Sequence, residues 1–436
     1  LSGGLKVSKK QFFYALISEP LTRDKGEMVY NLPYMISIIK MGVSLLSIYL
    51  NNGATTWPKP ACVPEAISSF ILERGANLAR GSSSGRDIDS LDMVISARQD
   101  IASFFRGYRK RDPRYVTFTG NVTESLNVVL KGFLRPGMHA LTTSMEHNSV
   151  IRPLRRLEGQ GVKVSVLQCD SKGFLNPEVL HSFLKENSVD LFVLSHASNV
   201  CGSIQPLEDL AAICTRAGVP CVLDSAQTAG VLEIDVEGLG LSACCFTGHK
   251  GLMGPQGIGG IVWEPGFAAR VLPFVEGGTG SFSDDEHQPE ILPDRFEAGT
   301  PNLPGIAGLS ASLGWIVETG VEAISEREKK LGKRLLEGIR TLPGLEIFGS
   351  EMDRDRLAVF AMNLDSMDNG TAAFELSERW GIETRPGLHC SPLGHRTLGT
   401  FPGGALRVSI GFFNTEQEID VAVEALGILA AEKAVH

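Results

Sequence analysis

"SACCFTGHKGLMGPQG", residues 242–257, is an apolar run that ends in Thr247, His249 and Lys250 and then breaks into glycines. A continuous apolar run closed by a turn reads as a strand buried on both faces, and such strands belong to parallel sheets covered by helices. Comparable runs flank it: "RYVTFT" (114–119), "HALTT" (139–143), "VKVSVL" (162–167), "DLFVLSH" (190–196), "PCVLD" (220–224) and "GIGGIVW" (257–263). Most are separated by segments suited to helices. Strands alternating with helices predict crossover units, hence an α/β fold around a mainly parallel sheet. In such a sheet ligands collect beyond the carboxyl ends of the strands. The residues after each run are therefore the candidates for a site.

Upstream, helices are expected at about 62–74 and 88–106, the second from the spacing of Ile88, Leu91, Ile95, Ile101 and Phe105. Downstream of "GTPNLPG" (299–305) the texture changes to a long helical stretch over 306–341, strands near 344–348 and 356–363, a helix near 370–379 and a last helix from about 415. This predicts a large α/β domain over 48–305 and a smaller α+β domain over 306–436, with the start of the first packing on the second. Residues 276–299 show no periodicity, and loops of that length are usually functional or interfacial. Residues 1–47 show neither a period nor a motif and are an extension of unassigned role.

The chain has 436 residues, 43% of them hydrophobic, and a net charge of −9 from 41 basic and 50 acidic residues. Apart from Arg109-Lys110-Arg111 no basic run occurs, which argues against a nucleic-acid or anionic-membrane surface. The apolar stretch 35–50 is interrupted by Lys40 and too short to span a bilayer, and it lacks a convincing cleavage pattern for a secretory signal. Eight cysteines without regular spacing fit reduced thiols and a cytoplasmic location better than a disulfide framework.

The strand ends collect Thr123, His147, Asn199, Asp224 with Gln227, and Thr247, His249 and Lys250. Lys250 suits either a phosphate or an imine with a carbonyl ligand, and its surroundings lack the spacing of a Walker A loop. Asp224 in "LDSAQ" fits a helix cap or the partner of a protonated pyridine nitrogen, with Gln227 donating to an adjacent phenolate oxygen. "NVTESLNVVL" (121–130) opens a helix whose first turn suits a phosphate, although capping explains Asn121 and Thr123 equally well. His147 reads as an ordinary polar residue or as a platform for an aromatic ring. An imine lysine, a ring-nitrogen carboxylate, a platform and a helix start together specify pyridoxal phosphate.

The same residues resemble the class V aminotransferase group of fold-type I pyridoxal-phosphate enzymes, in particular the cysteine desulfurases and selenocysteine lyases. The likeness runs from "IYLNNGATTWPKP" (48–60) through "FTGHK", "RFEAGTPN" (295–302) and "RPGLHC" (385–390) to "RVSIGFFNTEQEID" (407–420). It implies that Lys250 holds the cofactor covalently, Asp224 meets the ring nitrogen, Gln227 the phenolic oxygen and His147 the ring face. It also implies that Val122, Thr123, Thr247 and His249 hold the phosphate, with Thr300 reaching in from the second subunit of a homodimer. Asn52, Asn199 and Arg385 would bind the substrate L-cysteine, Arg385 through its carboxylate. Cys390 falls where the catalytic cysteine lies, and the chain departs from the usual "LDNAAT" in having Asn51 and Gly53.

The implied reaction removes sulfur from L-cysteine, leaves L-alanine and stores the sulfur as a persulfide on Cys390, with Arg385 and His389 favouring its thiolate. The acceptor stays open among a scaffold protein for iron–sulfur clusters, a tRNA-thiolation partner and a reducing thiol. Selenocysteine lyase, or an aminotransferase or epimerase that uses no thiol, shares Lys250 and Asp224, so only Cys390 separates these readings. A non-enzymatic metal site at His389, Cys390 and His395 lacks a second ligand pair at compact spacing. The resemblance assigns His395 no role.

Overall fold

The sheets of this protein are ordered by where its uninterrupted apolar runs can be buried. A computed structural model describes residues 47–78, 84–350 and 355–432. Of the extension expected over 1–47, residues 1–46 lie outside the described residues. The strands are β1 (Ile48–Tyr49), β2 (Val116–Thr119), β3 (His139–Thr143), β4 (Lys163–Leu167), β5 (Leu191–Ser195), β6 (Cys221–Asp224), β7 (Ala243–Thr247), β8 (Gly259–Trp263), β9 (Leu345–Phe348), β10 (Val359–Leu364), β11 (Ile382–Glu383), β12 (Arg385–Gly387) and β13 (Ala405–Ser409). The principal helices are α1 (Cys62–Ser69), α2 (Gly85–Phe104), α3 (Val122–Phe133), α4 (Asn148–Glu158), α5 (Pro177–Glu186), α6 (Leu207–Ala217), α7 (Leu303–Thr319), α8 (Val321–Ile339), α9 (Asn369–Trp380), α10 (Pro392–Thr397) and α11 (Glu416–Ala431).

Seven strands form one sheet in the order β2-β8-β7-β6-β5-β3-β4, and every neighbour pair is parallel except those of β8. The inner strands β3, β5, β6, β7 and β8 are almost wholly buried, as the continuous apolar runs require. Because β8 runs against the rest, its beginning lies beside the carboxyl ends of the others. Gly259 opens that strand, and a Cβ there would come within 2.9 Å of Asn121 Cα. Glycine thus lets the start of α3 close over the sheet end.

A second sheet, β12-β13-β10-β9, is antiparallel and carries a separate core with α8, α9 and α11. Strand β1 pairs in parallel with β11 in a separate two-stranded sheet. The helical stretch expected over 306–341 is two helices, α7 and α8, parted at Gly320, whose φ of +89° breaks the helical path. Helix α7 begins at Leu303, so the boundary expected at 305 falls within it, and it packs against α1 and α2. No helix among the described residues is long and apolar enough to cross a membrane.

Candidate active site

One cavity of about 600 Å³ opens at the carboxyl edge of the large sheet, where crossover chemistry places it. Its wall includes Val122, Thr123, His147, Asn199, Asp224, Gln227, Thr247, His249, Lys250, Arg385 and Cys390, which brings together eleven of the thirteen residues the sequence singled out. The other two stand elsewhere. Asn52 is buried behind the wall, where its amide donates to the Tyr49 and Ser409 carbonyls and to Asn414 Oδ1 while its own oxygen accepts from Trp57 N. Its polar atoms are spent on the turn, so substrate binding is not its place. Thr300 lines a different cavity, with Arg98 and Glu297.

Lys250 follows β7, and its turn is fastened by residues 55–59, which follow β1. Thr56 Oγ1 donates to the Lys250 carbonyl at 2.8 Å, and Thr55 Oγ1 and Lys59 Nζ donate to the His249 carbonyl at 3.1 and 2.6 Å. The "GATTWPK" segment is therefore a clamp on the lysine turn. Burial pulls the Lys250 amine down to about 8, opposed by the nearby Asp224 carboxylate. An amine so depressed is neutral often enough near pH 7 to attack a carbonyl.

Asp224 ends β6, fully enclosed, with Oδ1 accepting from Ala226 N at 2.9 Å. Burial raises its pKa, against the Ala226 N–H, Lys250 and Ser149. The Ser149 hydroxyl lies 2.8 Å from His147 Nδ1. His147 caps α4 by accepting from Ser149 N at 3.0 Å, and burial followed by the Lys250 and arginine charges lowers its pKa to about 4. The ring is neutral, as a stacking platform would be. Gln227 Nε2 donates to the Gly53 carbonyl at 3.2 Å.

Two walls carry positive charge or its equivalent. At one end the first-turn amides of Val122 and Thr123 face out of α3, whose Asn121 cap bonds Glu124 N at 3.1 Å. At the other, Arg385 and Arg407 are directly opposed across β12 and β13. Like charges in that relation repel, and neither guanidinium pairs with a carboxylate among the described residues. Burial and Arg385 together lower the Arg407 pKa to about 10. Arg407 donates to the Asn199 carbonyl at 2.8 Å and to Asn51 Oδ1 at 3.0 Å, while its Nε has no partner. Sequence reading missed Arg407 because an arginine in an apolar run reads as surface, and it is only 2% exposed.

Thr247 Oγ1 and His249 Nδ1 are likewise buried in this wall without a hydrogen-bond partner. Native interiors rarely leave such atoms unsatisfied, so they argue for a polar ligand at this spot. Between a free lysine amine, a buried carboxylate, a neutral ring and a helix start with orphaned donors, a phosphorylated aromatic aldehyde fits.

Cys390 is exposed at the cavity rim, and its carbonyl accepts from Asn148 N at 2.8 Å. His389 and Cys390 take φ of +49° and +58°, a left-handed path costing roughly 1–2 kcal/mol per residue outside glycine. Asn199 helps hold it, with Nδ2 donating to the His389 carbonyl at 2.7 Å and Oδ1 accepting from Ser391 Oγ at 2.7 Å. Asn199 thus serves the loop as much as any ligand. His389 does not supply charge as the sequence suggested, because burial and the adjacent Arg407 push its pKa down to about 3. Its ring is tied to Arg385 O and to His395, and no group of three or more metal-ligating side chains is found among the described residues.

Comparison with known proteins agrees with this geometry. The family model described as "Aminotransferase class-V" matches residues 48–421. Relatives include a probable cysteine desulfurase of Methanothermobacter thermautotrophicus, 30% identical over 88% of this chain and 94% of its own length. A cysteine desulfurase of Cronobacter sakazakii is 32% identical over 87% of this chain and 92% of its own. Among solved structures, the cysteine desulfurase of Thermococcus onnurineus superposes with a TM-score of 0.82 at 29% identity, covering 92% of this chain and 99% of that one. The cysteine desulfurase CsdA of Escherichia coli gives 0.78 at 25% identity over 92% and 98%. With a matching family model over most of its length and a lysine cavity at the sheet end where that fold requires it, the chain belongs to the aminotransferase class-V family.

Proposed function

We propose that the protein is a cysteine desulfurase dependent on pyridoxal phosphate, and that it forms L-alanine from L-cysteine while taking the sulfur onto Cys390. The observation that carries this reading is the presence of the Lys250 amine and the Cys390 thiol in one cavity wall with the Arg385 and Arg407 guanidiniums, neither of which pairs with a carboxylate among the described residues. An aminotransferase or epimerase would have no use for that thiol. Lys250 would hold the cofactor, Asp224 its ring nitrogen, Gln227 its phenolic oxygen and His147 its face. The orphaned Thr247 and His249 atoms, Thr123 and the Val122 amide would hold its phosphate. When bound, the cofactor supplies an electron sink for negative charge at the substrate Cα.

The residues of the chain perform the remaining work. Arg385 and Arg407 grip the substrate carboxylate and orient the amino acid, and Lys250 moves the proton at Cα. Asp224 keeps a proton on the ring nitrogen. The Cys390 thiolate attacks the substrate sulfur, so that a new S–S bond forms as the substrate C–S bond breaks. The bonding pair stays on the three-carbon fragment, which takes up a proton to become alanine. A second thiol then removes the outer sulfur and returns Cys390 to the thiolate.

Thr300 lies away from the Lys250 cavity of its own chain, which supports a homodimer in which it serves the partner's site. All eight cysteines are unpaired, which supports a reducing, cytoplasmic setting. The test is incubation of the loaded protein with L-cysteine and a reductant. Sulfide and alanine in equal amounts are expected, with turnover lost in Cys390→Ser and the visible cofactor band lost in Lys250→Ala. Alanine without sulfide, or full turnover in Cys390→Ser, would overturn the reading.

A further inference from the structure

His395 has no place in the chemistry above, yet it is completely buried six residues after His389 and stacked on it, with ring centroids 5.2 Å apart at 28°. Three hydrogen bonds run through the pair. His389 Nε2 lies 2.9 Å from the Arg385 carbonyl, His389 Nδ1 lies 3.1 Å from His395 Nε2, and His395 Nδ1 lies 2.7 Å from Thr400 Oγ1. Their directions follow from one fixed point. A carbonyl only accepts, so His389 Nε2 carries hydrogen and, in the neutral ring, Nδ1 is bare. His395 must then donate from Nε2, which leaves its own Nδ1 to accept from the Thr400 hydroxyl. Every ring nitrogen is used and only one pair of tautomers satisfies the chain.

We propose that His395 is a positioning residue that, by donating to His389 Nδ1, locks the His389 ring against the Arg385 carbonyl and so holds the loop presenting Cys390 to the cavity. The proposal rests on the desulfurase reading for its rate effect, but the geometry of the loop stands apart from it. The backbone of the loop is anchored by Asn199 and Asn148, and the histidine relay adds an anchor through the His389 side chain. Without the relay, the left-handed turn at His389 and Cys390 loses the support that opposes its relaxation.

The test compares His395→Leu, His395→Gln and His395→Asn in the loaded protein. A glutamine places its amide where Nε2 stood and keeps the donor to His389, whereas an asparagine stops short of it. We expect His395→Leu and His395→Asn to slow single-turnover persulfide formation from L-cysteine about tenfold and to raise the iodoacetamide alkylation rate of Cys390 at least threefold. The cofactor band and its response to L-cysteine stay as in the parent, and His395→Gln restores both rates. Equal rates in parent and His395→Leu, or a glutamine variant as impaired as leucine, would overturn the proposal. Thr400→Val, which removes only the hydroxyl, gives a milder shift in the same direction, and a parent-like Thr400→Val in both rates counts against the relay. If the parent forms no persulfide, the desulfurase reading fails, and the alkylation rates still decide the role of His395.

Discussion

Replacing Arg407 with methionine separates binding from stability. In the folded chain its guanidinium is buried, opposed by Arg385 across the strand pair, and lowered to about 10 by that burial and that charge. The charge is therefore costly to bury and valuable once an anion arrives. A charge-assisted hydrogen bond contributes about 1.5–3 kcal/mol, so its removal should lower kcat/KM for L-cysteine by roughly tenfold to a hundredfold. Against this, methionine removes a buried repulsion but leaves the Asn199 carbonyl and Asn51 Oδ1 without their donor. These terms oppose each other, and the midpoint of urea unfolding should move little. The assay is steady-state alanine formation in protein matched for cofactor absorbance, beside urea titration. A kcat/KM within threefold of the parent would refute the assignment of Arg407 to the substrate carboxylate.

Other predictions follow from the buried groups. Because Lys250 is lowered to about 8, covalent capture of pyridoxal phosphate by the unloaded protein should speed up about tenfold per pH unit below 8 and level off above it; borohydride trapping reads this, and a flat profile from pH 6 to 9 contradicts it. The same depression makes the unfolded chain bind more protons between about pH 8 and the ordinary lysine value, so the destabilising cost of burying Lys250 is relieved as pH rises across that window. Glu146, enclosed beside Thr143 and Ser195, is raised to about 7, so its contribution to stability falls as pH rises from the usual carboxylate value towards 7. Glu146→Gln should therefore gain melting temperature relative to the parent between pH 5 and 8, and an unchanged difference argues against a buried proton there. Glu297 receives Arg98 through both oxygens and Phe118 N, so Glu297→Ala should cost about 3 kcal/mol in urea unfolding; a loss below 1 kcal/mol would mean the pair is solvent-screened.

The large sheet was legible because strands buried on two faces must be apolar throughout, and "SACCFT" or "PCVLD" admit few other readings. The cavity followed, since polar residues after such strands share one edge. What stayed hidden involved context that local patterns do not carry. The strand Arg385–Gly387 contains proline and glycine, and the strand Ala405–Ser409 contains the buried Arg407, so neither reads as an interior element. Asn52 sits in a motif whose neighbour Gly53 does line the cavity, and a shift of one residue moved it from wall to support. The charge expected of His389 vanished on burial, a quantity that neighbours in sequence do not reveal. Gly320 broke a helical stretch whose periodicity continues on both sides.

The central claim is that Cys390 receives the sulfur inside the cavity that Lys250 serves. Intact-mass and peptide mass spectrometry after a single turnover with L-cysteine, in the absence of reductant, tests it most directly. One added sulfur atom on Cys390, one equivalent of alanine and no added sulfur in Cys390→Ser are expected. Alanine formed with Cys390 unmodified, or sulfur carried on another cysteine, would contradict it.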